Sequence, residues 1–479
     1  SFKARLFVIP SSKIKHMPPS SLTFSKQTKP NFLPSSSNPL SSSQSQIQTR
    51  EPTADVAKTL ATHLDSSFSS SCSDPKTLTQ IHARMLRLDL LRSPFHWNTL
   101  MRSYLRLSRP GPTLALFAQM RRWGPHPDSY TLPLALKAAC HVFDPALGRQ
   151  LHSLSLKLGL DRHQYSESGL ISLYGKSGLF GNARKVFDEN PERKIGSWNA
   201  MINGLAQAGR AVEVIRLFVE MTRSGLVPDE LTMVSVVSAC GGLGGVGLAE
   251  QVHKLALQVK TVERFDITVS NSLVDMYCKC GRTDLAHRVF ARMPQRNVST
   301  WTAMITGLGT HGQERLALDF FDRMRQYGVN PNHVTMVGVL NACAHGGLVE
   351  QGMELLDNMK ARYGIEPRAV HYGCVVDMLG RVGRVREARE VAEKMPMGAN
   401  AVVWGTLLGA SEKHGDVEVG EWAAKNLMEV EPWNDGVYVV LSNIYAAAGM
   451  WDEVEKLRKG MRERRVAKIP GYSLSTRDL

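Results

Sequence analysis

An all-α fold, built as an α-solenoid of stacked helix-turn-helix repeats behind a disordered N-terminal leader, is predicted by three features of this sequence. Whole phrases recur about every hundred residues. Each recurring unit carries apolar residues at helical spacing. Gly and Pro fall where each helix has to stop. The first feature is clearest around tryptophan: WNTLM begins at Trp97, WNAMI at Trp198, WTAMI at Trp301 and WGTLL at Trp404, at spacings of 101, 103 and 103 residues. LKAAC, VVSAC and VLNAC end at Cys140, Cys240 and Cys343 in the same rhythm. So do KVFDENPERK around Val186, RVFARMPQRN around Val289 and EVAEKMPMGAN around Val391. The order never changes, so the unit is a triplet with members of about 35, 35–37 and 31 residues.

Each member reads as two helices. In Ile195–Asp229, Trp198, Met201, Ile202 and Leu205 are spaced three and four apart, the stripe of an amphipathic helix. Gly209 stops it. Val214, Leu217, Phe218 and Met221 repeat the spacing, Gly225 stops the second helix, and Pro228 cannot continue it. One such pair cannot bury its apolar face alone, whereas stacked pairs can.

Composition excludes some classes. The chain has 479 residues and no apolar run near the ~18 that a membrane span needs. Its seven cysteines lack framework spacing, as free thiols in a reducing compartment would. The formal charge is +14, but residues 1–50 contain no Asp or Glu and contribute +7, which leaves +7 for the remaining 429 residues. The body is therefore only mildly basic, and its charge is a weak argument for a polyanion partner. The basic, Ser-rich leader, with PSSSNPLSSSQSQ at Pro34–Gln46, cannot bury a core and resembles an organelle transit peptide.

Candidate chemical motifs are weak. GLISLYGKSG at Gly169–Gly178 has five residues between its first two glycines, one more than a phosphate loop, and is expected to be an inter-helix turn. GLGGVG at Gly242–Gly247 follows no predicted strand, which a dinucleotide fingerprint requires. Cys278 and Cys280 form a CxC with no second pair, and Cys140, Cys240 and Cys343 share one packing position. No CxxC and no His-x-Glu occurs, and a zinc nucleobase deaminase needs both. No catalytic residue, metal ligand or cofactor is expected.

The long members end in Pro-Asp or Pro-Asn: HPD to Asp128, VPD to Asp229, NPN to Asn332. With the alternating lengths, this resembles the plant pentatricopeptide repeat family, in its subclass of alternating P, L and S repeats, from Pro94 to about Ser473. P repeats are Pro94–Asp128, Ile195–Asp229 and Val298–Asn332. L repeats are Ser129–His163, Glu230–Asp266 and His333–Arg368. S repeats are Gln164–Lys194, Ile267–Asn297 and Ala369–Asn400. The expected organisation is a leader over 1–52, a degenerate first repeat over 53–93 (LTQIHARMLRLDLL at Leu78–Leu91 resembles an L-type second helix), nine repeats over 94–400, and two motifs over 401–434 and 435–479. The last two resemble the E-type motifs that end many RNA-editing members. The DYW deaminase domain that often follows them has no counterpart before the sequence stops at PGYSLSTRDL.

The resemblance implies that each repeat addresses one RNA base through its fifth residue and its last. The pairs would be Asn98/Asp128 and Asn199/Asp229 for uracil, Asn271/Asn297 for a pyrimidine with cytosine first, and Thr302/Asn332 for adenine. Ser168/Lys194 and Gly373/Asn400 leave the base open. Pro133, Val234 and Val337, fifth in the L repeats, would make no specific contact. At position two, where the family often packs an aliphatic side chain on bases, Phe95 fits while Gly196 and Ser299 do not. The implied protein binds single-stranded organellar RNA as a site-recognition factor for C-to-U editing and recruits a DYW-type deaminase in trans, with multiple organellar editing factors as further candidate partners. The mitochondrion is the expected compartment and the chloroplast the alternative. The rival role is transcript stabilisation, processing or splicing.

Overall fold

The computed structural model describes residues 75–87, 91–258, 266–464 and 466. Among them are 23 helices and no strand, in the order of an α-solenoid. The leader over 1–52 and the end of the chain from 467 lie outside the described residues, as does most of 53–93 apart from the helix Pro75–Arg87. The described residues fall into two compact units, one reaching Gly169 and one starting at Leu170.

In the first unit, Pro94–Arg106 pairs with Pro110–Trp123, and Thr131–Val142 with Pro145–Lys157. Three of these four helices open on Pro, whose fixed φ and missing N–H suit a first turn. The second unit repeats the same pairing: Ile195–Gln207 with Ala211–Arg223, Val298–Thr310 with Glu314–Gln326, and so on to Asp435–Ala447 with Trp451–Glu463. The expected stripes are the buried ones: Trp198, Met201, Ile202 and Leu205 on one helix, Val214, Leu217, Phe218 and Met221 on the next. Gly209 links them with φ +71°, a conformation open to glycine at no steric cost. Ser108 holds the corresponding turn of the first repeat at φ 55°, which is strained for a residue with a side chain.

Two layers follow from where the small residues lie. In the second unit the first helix of each pair packs directly on the first helix of the next. A Cβ added at Gly175 would lie 3.7 Å from Gly204 Cα, one at Gly309 would lie 2.8 Å from Ala342 Cβ, and one at Gly380 would lie 2.7 Å from Ala410 Cβ. At Gly307 it would collide with Cys278 Sγ. Backbones approach this closely only where side chains are missing.

The second helices bind across repeats through their ends. Phe187 meets Trp198 edge-on at 4.8 Å, and Phe290 meets Trp301 at 4.9 Å. Arg193 stacks on Phe187 at 4.5 Å and donates from Nε to its carbonyl at 2.7 Å; Arg296 does the same to Phe290 at 4.8 and 3.0 Å. The recurring VF…PER and VF…PQR phrases thus encode a clasp over the next tryptophan.

The motif GLISLYGKSG differs from expectation. Gly169 through Lys176 are helical, inside Gln164–Lys176, and only Ser177 and Gly178 turn the chain. Its glycines serve close helix approach, as Gly175 against Gly204 shows. GLGGVG is the end of one helix, a turn at Gly244 and the start of another.

Candidate nucleic-acid interface

In the second unit each first helix begins where the preceding repeat ends, so the last residue of a repeat is the N-cap of the next helix. In the first unit Asp128 precedes the N-cap Tyr130, and its Oδ1 accepts from Tyr130 N and Thr131 N at 2.9 and 2.8 Å. Asp229 caps Glu230–Leu243: its Oδ1 accepts from Thr232 N at 2.9 Å, and Thr232 Oγ1 accepts from Asp229 N at 3.4 Å, a capping box. Asn297 and Asn332 cap the next first helices in the same way, through Thr300 and Thr335. Thirty residues upstream, or 26 in the S repeat, the fifth residue sits one turn into its own helix and points at the last residue of its repeat. Asn199 Nδ2 donates to Asp229 Oδ2 and Oδ1 at 2.9 and 3.0 Å. Asn98 Nδ2 donates to Asp128 Oδ1 and Oδ2 at 3.1 and 3.3 Å. Asn271 Nδ2 donates to Asn297 Oδ1 at 3.2 Å.

The carboxylate of Asp128 illustrates the electrostatics. Partial burial would push it up. Hydrogen bonds from Thr131 backbone and hydroxyl, from Asn98 and from Tyr130 N–H outweigh that and hold it below its ordinary value. It is therefore an anion that fixes the Asn98 amide with Nδ2 inward. An amide held this way keeps one N–H as a donor for a base edge, while the Asn98 carbonyl oxygen is buried without a partner among the described residues.

The remaining pairs differ. Thr302 Oγ1 lies 2.7 Å from Thr335 Oγ1 and has no bond to Asn332, whose Oδ1 accepts from Thr335 N at 2.9 Å. Asn400 caps Ala401–His414 through Val403 N at 3.1 Å, and Gly373 offers no side chain to meet it. Ser168 Oγ turns back to Tyr165 O at 3.3 Å. Lys194 is an exposed N-cap with no side-chain cap bond; Ser168 belongs to the first unit and Lys194 to the second.

Sequence reasoning missed part of the surface. At position two the first unit exposes Phe95, Tyr130 and Tyr165, at 62%, 62% and 55%. The second unit exposes Leu231, Val334 and Val370 at the same position. Attention to the P repeats alone hid these, since all five added residues are second in L repeats or S repeats and only their shared register reveals them. Exposed aromatic faces can stack on bases.

Among the described residues no competing chemistry is assembled. Burial, with Asp275 adding, pushes the Cys278 thiol up to about 12, and burial with Cys280 does the same to Cys240. Cys140, Cys240 and Cys343 are all buried among helices. Among the described residues no group of three or more His, Cys, Asp or Glu could hold a metal ion, and no helix is long and apolar enough to cross a membrane.

The PPR repeat family matches residues 193–242 and 296–345, and the PPR repeat matches 95–125, 168–189, 268–298, 334–363 and 370–397. The E motif matches residues 414–475. A mitochondrial pentatricopeptide repeat-containing protein of Arabidopsis thaliana is 51% identical over 425 residues, which cover 88% of this chain and 90% of the relative. A second Arabidopsis thaliana protein of this kind, named chloroplastic/mitochondrial, is 39% identical over 454 residues, covering 85% of this chain and 71% of the relative. Among solved structures, the pentatricopeptide repeat protein PPR10 in complex with an 18-nt psaJ RNA element superposes with a TM-score of 0.57 at 20% identity, covering 80% of this chain and 62% of that one. The chain belongs to the pentatricopeptide repeat family, in its class of alternating P, L and S repeats with an E-type C-terminal motif.

Proposed function

We propose that this protein is a sequence-specific single-stranded RNA-binding factor of the mitochondrion that selects cytidines for conversion to uridine and recruits a DYW-type deaminase in trans. The observation that carries base selection is the repeated clamp of a fifth-position amide on the cap that ends its repeat: Asn98 on Asp128, Asn199 on Asp229, Asn271 on Asn297. Capping alone needs only Asp229 and Asn297, and the turn into the helix at Thr131 needs only Asp128, so the amides facing them have a separate purpose. Editing is supported by the E motif over 414–475, and the mitochondrion by the relative at 51% identity. The reading pairs would be those named from the sequence, with Ser168/Lys194 and Gly373/Asn400 as the least selective. Read 5′ to 3′, the target is U, any, open, U, any, C or U, A, any, open, with the edited cytidine four nucleotides 3′ of the last S-repeat base.

Sequencing organelle RNA from plants with and without the gene tests the proposal. Loss of editing at a cytidine that follows this string supports it. Unchanged editing with altered transcript ends or abundance supports a processing factor instead. Recruitment is tested separately by Trp433→Ala with Trp451→Ala. Both residues stand exposed in the matched E region, at 71% and 67%. RNA binding should persist and editing should fall; equal loss of both would count against a recruiting tail.

A further inference from the structure

Two side chains per repeat carry the proposed base choice, yet in the structure a third joins them. Thr232 is the third residue of the helix that Asp229 caps. Its Oγ1 lies 2.5 Å from Asn199 Oδ1 and 2.8 Å from Asp229 Oδ1. Thr300 Oγ1 lies 2.6 Å from Asn271 Oδ1 and 3.1 Å from Asn297 Oδ1. Thr335 Oγ1 lies 2.7 Å from Thr302 Oγ1 and 3.1 Å from Asn332 Oδ1. Thr131 turns to Asp128 Oδ1 at 2.8 Å, and Asn98 Oδ1 is then buried without a partner among the described residues. All four threonines are fully buried.

Helix capping explains only half of this. A capping box needs an acceptor at the third residue for the N-cap N–H. His371 supplies that after the L repeat ending at Arg368, through Nδ1 at 2.9 Å, with no hydroxyl involved. A threonine hydroxyl keeps one further proton. That proton can go to the capping residue or across the repeat to the fifth side chain, but not to both. Where the fifth residue has no polar group, the third residue of the next helix is not threonine: Ser166 follows Pro133, Val269 follows Val234, His371 follows Val337 and Val403 follows Gly373.

We propose that Thr232, Thr300 and Thr335 are positioning residues that set base choice in their repeats. The inference rests on the base-reading function proposed above. With its proton on Asn199 Oδ1, Thr232 holds the amide carbonyl on one side while Asp229 holds Nδ2 on the other. The amide cannot flip, so uracil meets a fixed pattern of one N–H and one lone pair. In the adenine repeat, the Thr335 proton decides whether Thr302 offers the base a proton or a lone pair. If Thr335 donates to Asn332, Thr302 must donate to Thr335 and presents lone pairs alone.

The test uses the full chain and synthetic RNAs that carry U or C at the fourth base or at the first. Thr232→Val keeps the shape and removes the hydroxyl; Thr232→Ser keeps the hydroxyl. The valine variant should lose about tenfold of the U-over-C preference at the fourth base and keep it at the first, which Asn98 reads. The serine variant should behave as wild type at both. If Thr232→Val weakened U and C RNAs equally, or kept the wild-type preference, the threonine would be a capping residue only. Thr300→Val, read at the sixth base, repeats the measurement should Thr232→Val fail to fold. A wild-type protein with no preference at the fourth base would overturn base reading itself, and this inference with it.

Discussion

Asn199 donates to both carboxylate oxygens of Asp229, at 3.0 and 2.9 Å, although the two residues are 30 positions apart. Asp229 is also the N-cap of the next helix. One carboxylate thus serves helix stability and, in the proposed function, base choice. The two roles separate under substitution, because Asn caps as well as Asp while Ala does not. Asp229→Asn should leave the unfolding midpoint nearly unchanged and move the fourth-base preference from uracil toward cytosine. Asp229→Ala should cost about 1 kcal/mol of stability. Thermal melts and binding to U- and C-bearing RNAs measure both.

Close approach of the first helices gives a stability prediction. A methyl at Gly307 would collide with Cys278 Sγ, and both residues are on tightly packed helices. Gly307→Ala should therefore destabilise by about 1–3 kcal/mol, despite the better helix propensity of alanine. Cys278→Gly in the same chain should recover part of the loss, and a double-mutant cycle in denaturant measures the coupling.

Acid should weaken the fold in two stages. His253 Nδ1 lies 2.9 Å from the Tyr277 hydroxyl. Burial, with Arg292 adding, holds the imidazole below its ordinary 6.5. A group whose folded value is depressed stabilises above its unfolded value, and that stability is lost as pH falls through the folded one. Melting temperature should be level above about pH 7 and decline below about pH 6. His253→Gln should reduce the slope. A second decline should begin below the ordinary 3.8 of a carboxyl, as Asp128, which hydrogen bonds hold low against the opposing effect of burial, takes up its proton.

Much of this was legible in the sequence, and for physical reasons. The Trp198, Met201, Ile202, Leu205 stripe and the Gly209 stop fix a helix pair because burial and backbone freedom are local signals. The Pro-Asp and Pro-Asn endings fixed the register that brings Asn199 to Asp229. What stayed hidden depends on neighbours distant in sequence. Thr232 carries no signal in its own helix, because its contact is with Asn199 Oδ1 of the preceding repeat. Tyr130 and Tyr165 are seen to be exposed only once the packing of neighbouring helices leaves them outside. Gly169 and Gly175 suggested a turn, but Gly204 and Leu136 facing them make close helix contact the reason for glycine.

The central claim is that the fifth and last residues of a repeat choose its base, and the repeat Val298–Asn332 tests it most directly. Thr335 is already in place there, 2.7 Å from Thr302 Oγ1 and 3.1 Å from Asn332 Oδ1. The double change Thr302→Asn with Asn332→Asp should therefore rebuild the arrangement of Asn199, Asp229 and Thr232. The measurement is equilibrium binding of wild type and double variant to two RNAs that differ only at the seventh base. Wild type should favour adenine and the variant uracil, each by about tenfold or more, as a contact worth roughly 1–3 kcal/mol would give. If the variant bound both RNAs as wild type does, Thr302 and Asn332 would be structural residues of a turn and a cap, and the claim would fail.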